Sequence, residues 1–248
     1  MKLPHIWAHR GASAYEPENT LEAFVLAIEM KADGIELDVQ MTKDGVLVVT
    51  HDETIQRVSD GKGYIKDLTY EQLRSYNFGK KFPKYETVRI PTLAQVYELV
   101  KPTPLMINVE LKNSKILYEG MEEKVVALTK EYDLEDRVIY SSFNHYSVLK
   151  LKGLTQKSKL AFLFEDGTMD LAKYCEFHKI DALHPALYHL QYKEFMKEIK
   201  ESNIPIRVWT VNKEKDIKRL CELEVDGIIT NYPDIGRKVI NKYGAKSD

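Results

Sequence analysis

Only 2 of the 248 residues are cysteine, Cys175 and Cys221. A chain of this length cannot rest on one staple, so a disulfide-framed fold is excluded and both read as buried, reduced thiols. Long hydrophobic runs are missing as well. The opening stretch Met1-Lys2-Leu3-Pro4-His5-Ile6-Trp7 has one basic side chain and no apolar segment long enough for a signal peptide or a membrane span. The cytoplasm is the expected compartment, without stable membrane association. Nor does charge of one sign dominate. Lys plus Arg number 36 against 38 Asp plus Glu, a formal net charge of −2, which gives no global field to collect nucleic acid or an anionic membrane. Any anion site must be local. Internal repeats and low-complexity tracts are absent too, which excludes solenoids and fibres, and only the tail after Gly244 reads as disordered.

What is present is a globular composition, 44% hydrophobic and 30% charged, with enough apolar material for a sizeable core. Short apolar runs alternate with amphipathic ones from end to end, the pattern of βα units around a parallel sheet. Strands are expected over residues 5–9, 34–40, 46–51, 105–112, 138–143, 159–164, 182–185, 206–211 and 227–230, with helices between them. Several helices open on a cap residue, such as Thr92 or Asn212. Eight of the nine strands fit a single α/β TIM (β/α)8 barrel. The remaining one, 46–51, follows Lys43-Asp44-Gly45, a hairpin signal, and extends the barrel mouth. About 40 residues then separate His51 from Pro91, too many for a βα loop. The expectation is one domain over residues 1–248, with a small insertion at about 52–91 folded over the mouth after the second barrel strand.

In a βα barrel the chemistry sits at the carboxyl ends of the strands, and here those ends are densely charged. The first strand ends in His9-Arg10-Gly11, the next carries Glu36 and Asp38, and the hairpin ends in His51-Asp52. Glu110 and Lys112 lie on the 105–112 strand and Trp209 on the 206–211 strand. Residues two apart on a strand share a face, so Glu36 pairs with Asp38 and Glu110 with Lys112. Three converging carboxylates repel one another by roughly 4 kcal/mol per pair at about 4 Å and an effective dielectric near 20. A divalent cation among Glu36, Asp38 and Glu110 is the simplest relief, and all-oxygen ligands suit Mg2+, Ca2+ or Mn2+. The alternative, salt bridges to Arg10 and Lys112 alone, leaves three acids against two bases. Arg10 and Lys112 also offer phosphate oxygens a planar fork and a point charge. Histidine titrates near neutrality, so of His9 and His51 one can accept a proton while the other gives one to a leaving alkoxide. Among the other histidines, His184 lies closest to a strand end.

The ordered runs His9-Arg10-Gly11-Ala12-Ser13, Pro17-Glu18-Asn19-Thr20, Glu36-Leu37-Asp38-Val39, His51-Asp52, Glu110-Leu111-Lys112, Val208-Trp209-Thr210-Val211-Asn212 and Asp226-Gly227-Ile228-Ile229-Thr230 resemble the glycerophosphodiester phosphodiesterase family. The resemblance implies a TIM barrel with a small insertion after strand two. It also implies metal-dependent hydrolysis of glycerophosphodiesters to sn-glycerol 3-phosphate and an alcohol. By motif position, Glu36, Asp38 and Glu110 would bind the metal, His9 and His51 would be the acid/base pair, and Arg10 and Lys112 would contact phosphate. Trp209 is placed to wall the glycerol carbons. Glu18-Asn19-Thr20 opens a helix, where it either caps free N–H groups or orients Arg10 or His9.

The stretch 54–89 carries eight basic residues, Lys80, Lys81 and Lys84 among them, against four acidic ones. It reads as a basic lid that draws in an anionic diester. No exposed aliphatic run lies near the mouth segments, so the alcohol is expected to be small and polar. The rival reading is a lysophospholipase D or sphingomyelinase D-like enzyme, which would need an apolar groove.

Overall fold

A computed structural model describes residues 2–245 of the chain; the end of the tail, 246–248, lies outside the described residues. Its strands are β1 (His5–His9), β2 (Gly34–Met41), β3 (Leu47–Val49), β4 (Met106–Leu111), β5 (Val138–Ser142), β6 (Lys159–Phe164), β7 (Ala182–Pro185), β8 (Arg207–Val208) and β9 (Gly227–Thr230). They pair in the order β7-β6-β5-β4-β2-β1-β9-β8, all parallel, with β3 antiparallel to β2 as a hairpin arm. Bridges Leu183–Ile206 and Ala186–Trp209 join β7 to the chain on either side of β8 and nearly close an eight-stranded TIM barrel. β8 is shorter than the sequence suggests. Pro205 precedes it without an N–H to give, and Trp209 continues the contact through single bonds to Pro185 and Leu187.

The alternation of side chains along each strand sorts the molecule into layers. Ile6 and Ala8 of β1, Ile35, Leu37 and Val39 of β2, and Ile107, Val109 and Leu111 of β4 belong to the core beneath the outer helices. Trp7, Ile139, Ala161, Ala182 and Ile229 fill the barrel interior. All eight residues of β2 are buried, so its second face, Glu36, Asp38 and Gln40, is inside the barrel as well.

The helices are α1 (Leu21–Glu29), α2 (Tyr70–Arg74), α3 (Leu93–Val100), α4 (Met121–Glu131), α5 (His145–Leu154), α6 (Leu171–His178), α7 (Lys193–Ser202), α8 (Glu214–Glu222) and α9 (Pro233–Gly244). Thr92 caps α3 in a reciprocal box with Gln95. Asn212 is not the cap of α8. Its Oδ1 accepts from the Asn231 amide at 2.9 Å and ties down the end of β9. Both cysteines are buried and free. Among the described residues no helix is long and apolar enough to cross a membrane.

The insertion has a small core, Ile55, Ile65, Leu73, Phe78 and Ile90, that closes on Val48 of β3. Lys84 Nζ and Tyr85 OH donate to the buried Glu16 carboxylate at 2.5 and 2.7 Å and tie the insertion to the loop after β1.

That loop depends on glycine. Gly11 has φ +80°, and a Cβ there would lie 2.6 to 2.8 Å from the Cβ, C and O of Ala23 on α1. Gly11→Ala therefore strains the backbone and pushes on a helix at once. It should cost about 2 kcal/mol or more, about 4–8 °C in a domain of this size. Thermal unfolding checks this, and a shift within error would refute it.

Candidate active site

The mouth of the barrel encloses a cavity of about 490 Å³ reached by His9, Arg10, Glu36, His51, Glu110, Lys112 and Trp209. The sequence-predicted site residues thus come together, with Asp38 buried directly behind them. A larger surface groove, about 900 Å³ between α6 and α7, contains none of them. His9 ends β1, and its Nδ1 donates to Asn231 Oδ1 at 2.6 Å, which leaves Nε2 at 3.9 Å from Glu36 Oε2. Arg10 adopts a left-handed backbone, φ 56°. Its amide donates to Glu36 Oε2 at 2.9 Å, and its guanidinium donates to Glu18 at 2.9 Å and lies 3.2 Å from Asp38 Oδ2. Asn19 Nδ2 donates to Asp38 Oδ2 at 2.8 Å.

Across the cavity, the chain beyond β3 brings in His51, whose Nδ1 donates to Asp52 Oδ1 at 2.6 Å. Gln40 holds the His51 carbonyl at 2.9 Å and is itself held by Tyr118. Lys112, just past β4, donates to Glu110 at 2.7 Å and reaches His51 Nε2 at 3.2 Å. Trp209 is fixed by donation to His184 O at 2.7 Å and packs edge-on against Phe143 at 5.6 Å.

Burial sets the electrostatics. It pushes the Glu36 carboxyl well above its usual range, reinforced by Asp38 and Glu110. Glu110 is raised too, by burial, although Lys112 opposes the shift. Burial also disfavours ionised Asp38, but Arg10 and Lys112 outweigh it and hold that carboxyl low. Burial and then Arg10 push the His9 imidazole down to about 4, so it is neutral at ordinary pH. Oxygens of Glu36, Asp38 and Glu110 all lie within 4.8 Å of one another. Arg10 and Lys112 do bridge to this cluster, yet Asp38 Oδ1 is buried without a hydrogen-bond partner. An all-oxygen basket with an unpartnered buried carboxylate oxygen fits a hard divalent ion.

Residues 9–235 match the profile of the glycerophosphoryl diester phosphodiesterase family. The chain belongs to that family. This phosphodiesterase is 41% identical over 238 residues to a glycerophosphodiester phosphodiesterase of Caldanaerobacter subterraneus, covering 96% of this chain and 98% of that one. A glycerophosphodiester phosphodiesterase of Bacillus altitudinis is 42% identical over 242 residues, with 96% and 98% covered. Among solved structures, an Oleispira antarctica phosphodiesterase in complex with the product sn-glycerol-3-phosphate superimposes with a TM-score of 0.85 at 27% identity, covering 96% of this chain and 97% of that one. More distantly, a human lysophospholipase D is 26% identical over 277 residues, with 96% and 86% covered.

Several residues of this phosphodiesterase's site were not visible in the sequence. Asn231 holds His9, and its signal was a polar residue just past the end of the 227–230 strand. The opening of α1 serves both suggested purposes: Thr20 caps, Glu18 holds Arg10, and Asn19 holds Asp38 rather than His9. His184 is fully buried beneath the mouth and does not line the cavity.

Against the expectation of no apolar groove, a groove of mixed character lies beside the mouth. It encloses about 710 Å³, is lined by Leu117, Tyr146, Leu149 and Tyr174 together with the polar Asn144, His145 and His178, and abuts the site through Ser114 and Phe143, which border both spaces. Leu117 and Tyr146 are 79% and 87% exposed. The charge of the insertion is also differently placed from a simple lid. Arg57 is bound to Glu18 and Asp52, Lys84 is bound to Glu16, and of the insertion Asp52 and Glu53 line the cavity.

Proposed function

We propose that this enzyme hydrolyses glycerophosphodiesters to sn-glycerol 3-phosphate and an alcohol. The observation that carries the proposal is the convergence of two imidazoles, three carboxylates and two fixed cations on one cavity at the barrel mouth. The product found in the Oleispira relative supports the same reading. Glu36, Asp38 and Glu110 would hold the ion, with Ca2+ or Mg2+ the natural candidates and Mn2+ a further one. When bound, such an ion supplies Lewis acidity to a phosphoryl oxygen.

The chain's own groups do the rest. Arg10 and Lys112 take the remaining phosphate charge, and Trp209 with Phe143 walls the glycerol carbons. His9 is the base: Nδ1 is engaged by Asn231, so the lone pair on Nε2 takes the proton of the attacking hydroxyl, either water or the substrate's own 2-hydroxyl, the latter giving a cyclic phosphate that one water, deprotonated in the same way, opens to sn-glycerol 3-phosphate. His51 is the acid: Asp52 accepts from Nδ1 and so turns Nε2 toward the cavity, where it gives a proton to the leaving alkoxide. Lys112 donates to that Nε2 in the free site; when it turns to the phosphate, Nε2 takes from solvent the proton that it then gives to the alkoxide. The chain acts as a single domain, with the insertion set at the mouth through Arg57 and Lys84.

A second reading, acceptance of lysophospholipids, is favoured by one observation, the apolar groove that leaves the site past Phe143.

Three tests follow from these assignments. Chelator should abolish turnover of glycerophosphocholine, and Ca2+ or Mg2+ should restore it and raise the melting temperature; Asp38→Asn should lose both effects. Full wild-type activity in excess chelator would sink the metal assignment. His9→Ala and His51→Ala should each lower kcat by about two to four decades. A nitrophenyl leaving group should rescue the His51 variant alone; rescue of the His9 variant alone reverses the division of roles, and equal rescue of both, or of neither, dissolves it. Finally, Leu117→Ser with Tyr146→Ser should reduce turnover of lysophosphatidylcholine relative to glycerophosphocholine about tenfold. An unchanged ratio would remove the groove from the substrate path.

A further inference from the structure

Arg57 lies in the insertion, far in sequence from Arg10, yet it grips the groups that hold Arg10 and His51. Its guanidinium forks onto Glu18, NH1 donating to Oε2 at 2.6 Å and NH2 to Oε1 at 2.7 Å, while Nε donates to Asp52 Oδ2 at 2.5 Å. Each carboxylate also serves the site. Glu18 Oε1 accepts from Arg10 at 2.9 Å, and Asp52 Oδ1 accepts from His51 Nδ1 at 2.6 Å. The outcome is one unbroken relay of alternating donors and acceptors, from Arg10 through Glu18, Arg57 and Asp52 to His51.

The insertion's small core aims this side chain. Ile55 is fully buried two residues before it. The turn over 55–59 is closed by the Val58 and Ser59 amides on the Ile55 carbonyl and by the Ser59 hydroxyl on the same oxygen at 2.8 Å. The bonding uses Nε and both terminal nitrogens at once, a demand that a guanidinium meets and an ammonium does not. The pairs are open to solvent on one side, with side-chain exposures of 38% for Arg57, 23% for Glu18 and 26% for Asp52. Screened pairs of this kind add little to stability, so their value is directional.

We propose that Arg57 is a positioning residue: by bridging Glu18 and Asp52 it fixes the phosphate-binding fork of Arg10 and the proton-donating imidazole of His51 in one relation to each other. This rests on the roles proposed above for Arg10 and His51. It makes the insertion part of the site's geometry, since the relay cannot close without residues from both.

The test is a mutant cycle on the full chain with a divalent ion present, read in two ways. Equilibrium binding of sn-glycerol 3-phosphate reports the Arg10 arm. The ratio of kcat on glycerophosphocholine to kcat on a nitrophenyl glycerophosphodiester reports the His51 arm, because a good leaving group needs little acid. Arg57→Ala should weaken product binding severalfold and lower the ratio about tenfold or more, the usual scale for a displaced reacting group. Arg57→Lys should recover only part of either loss. In a Glu18→Gln background, Arg57→Ala should no longer affect product binding; in an Asp52→Asn background, it should no longer affect the ratio. Losses that multiply in both backgrounds, or an unchanged ratio with unchanged binding, overturn the proposal. Should Arg57→Ala fail to fold, Arg57→Lys takes its place in the same cycle. A wild-type chain that does not turn over glycerophosphocholine refutes the proposed function instead, and the product-binding arm still decides whether Arg57 governs Arg10.

Discussion

Two carboxylates two residues apart on β2, both turned into the barrel, impose the constraint from which the rest of the site follows. Glu36 and Asp38 are 3% and 1% exposed, and ionised carboxylates at such depth are unfavourable unless charge and hydrogen bonds answer them. The neighbours are arranged as that answer. Arg10 turns through a left-handed conformation so that its amide meets Glu36 and its guanidinium approaches Asp38. Asn19 donates to Asp38, and Lys112 comes in from the next strand over to meet Glu110. Even so, two fixed cations do not balance three acids. The shift of Glu36 toward its protonated form and the unpartnered Asp38 Oδ1 record the same deficit. One divalent ion among the three carboxylates would remove both.

The two imidazoles show how like residues are given different surroundings. Burial and the neighbouring Arg10 together push the His9 ring toward the neutral form, and the amide of Asn231 that accepts from Nδ1 only partly opposes this. His51 is backed by a carboxylate, Asp52, at 2.6 Å. The two rings therefore differ in the partner behind Nδ1 before any substrate arrives. Arg57 adds a mechanical link, since it shares Asp52 with His51 and Glu18 with Arg10.

The barrel was legible because strand periodicity is a local property. Once residues 34–40 are a strand, Glu36 and Asp38 must share a face, and the same rule pairs Glu110 with Lys112. The hairpin at 46–51 was legible from Asp44-Gly45, although its ordered pairing spans only Leu47–Val49. What escaped the sequence depends on distance along the chain. Asn231 meets His9 across 222 residues and Arg57 meets Glu18 across 39, and no local pattern marks such partners. Asn212 was misjudged for the same reason. Its position before a helix suggested a cap, whereas its oxygen is engaged by the end of a strand brought alongside. The apolar groove was hidden because Leu117, Tyr146 and Tyr174 come one at a time from separate segments, so none belongs to a hydrophobic run.

That groove bears on how chemistry and selectivity are divided. The ionisable groups stand on or just beyond β1, β2, β3 and β4, where backbone pairing fixes them. The groove lies beside them and is built from α5, α6 and the loop before α4, where Leu117 and Tyr146 are exposed. Phe143 sits at the boundary, its ring edge-on to Trp209 and 5.7 Å from Lys112 Nζ. A phosphate held by Lys112 would have this ring beside it, and a leaving alcohol would then pass on one side of the ring or the other. Small polar alcohols can depart to solvent, whereas a long apolar one gains by following the groove. A change at Leu117 or Tyr146 would then act on the second route with the charge balance at β2 untouched, which is how one barrel can keep its reaction while its leaving group varies.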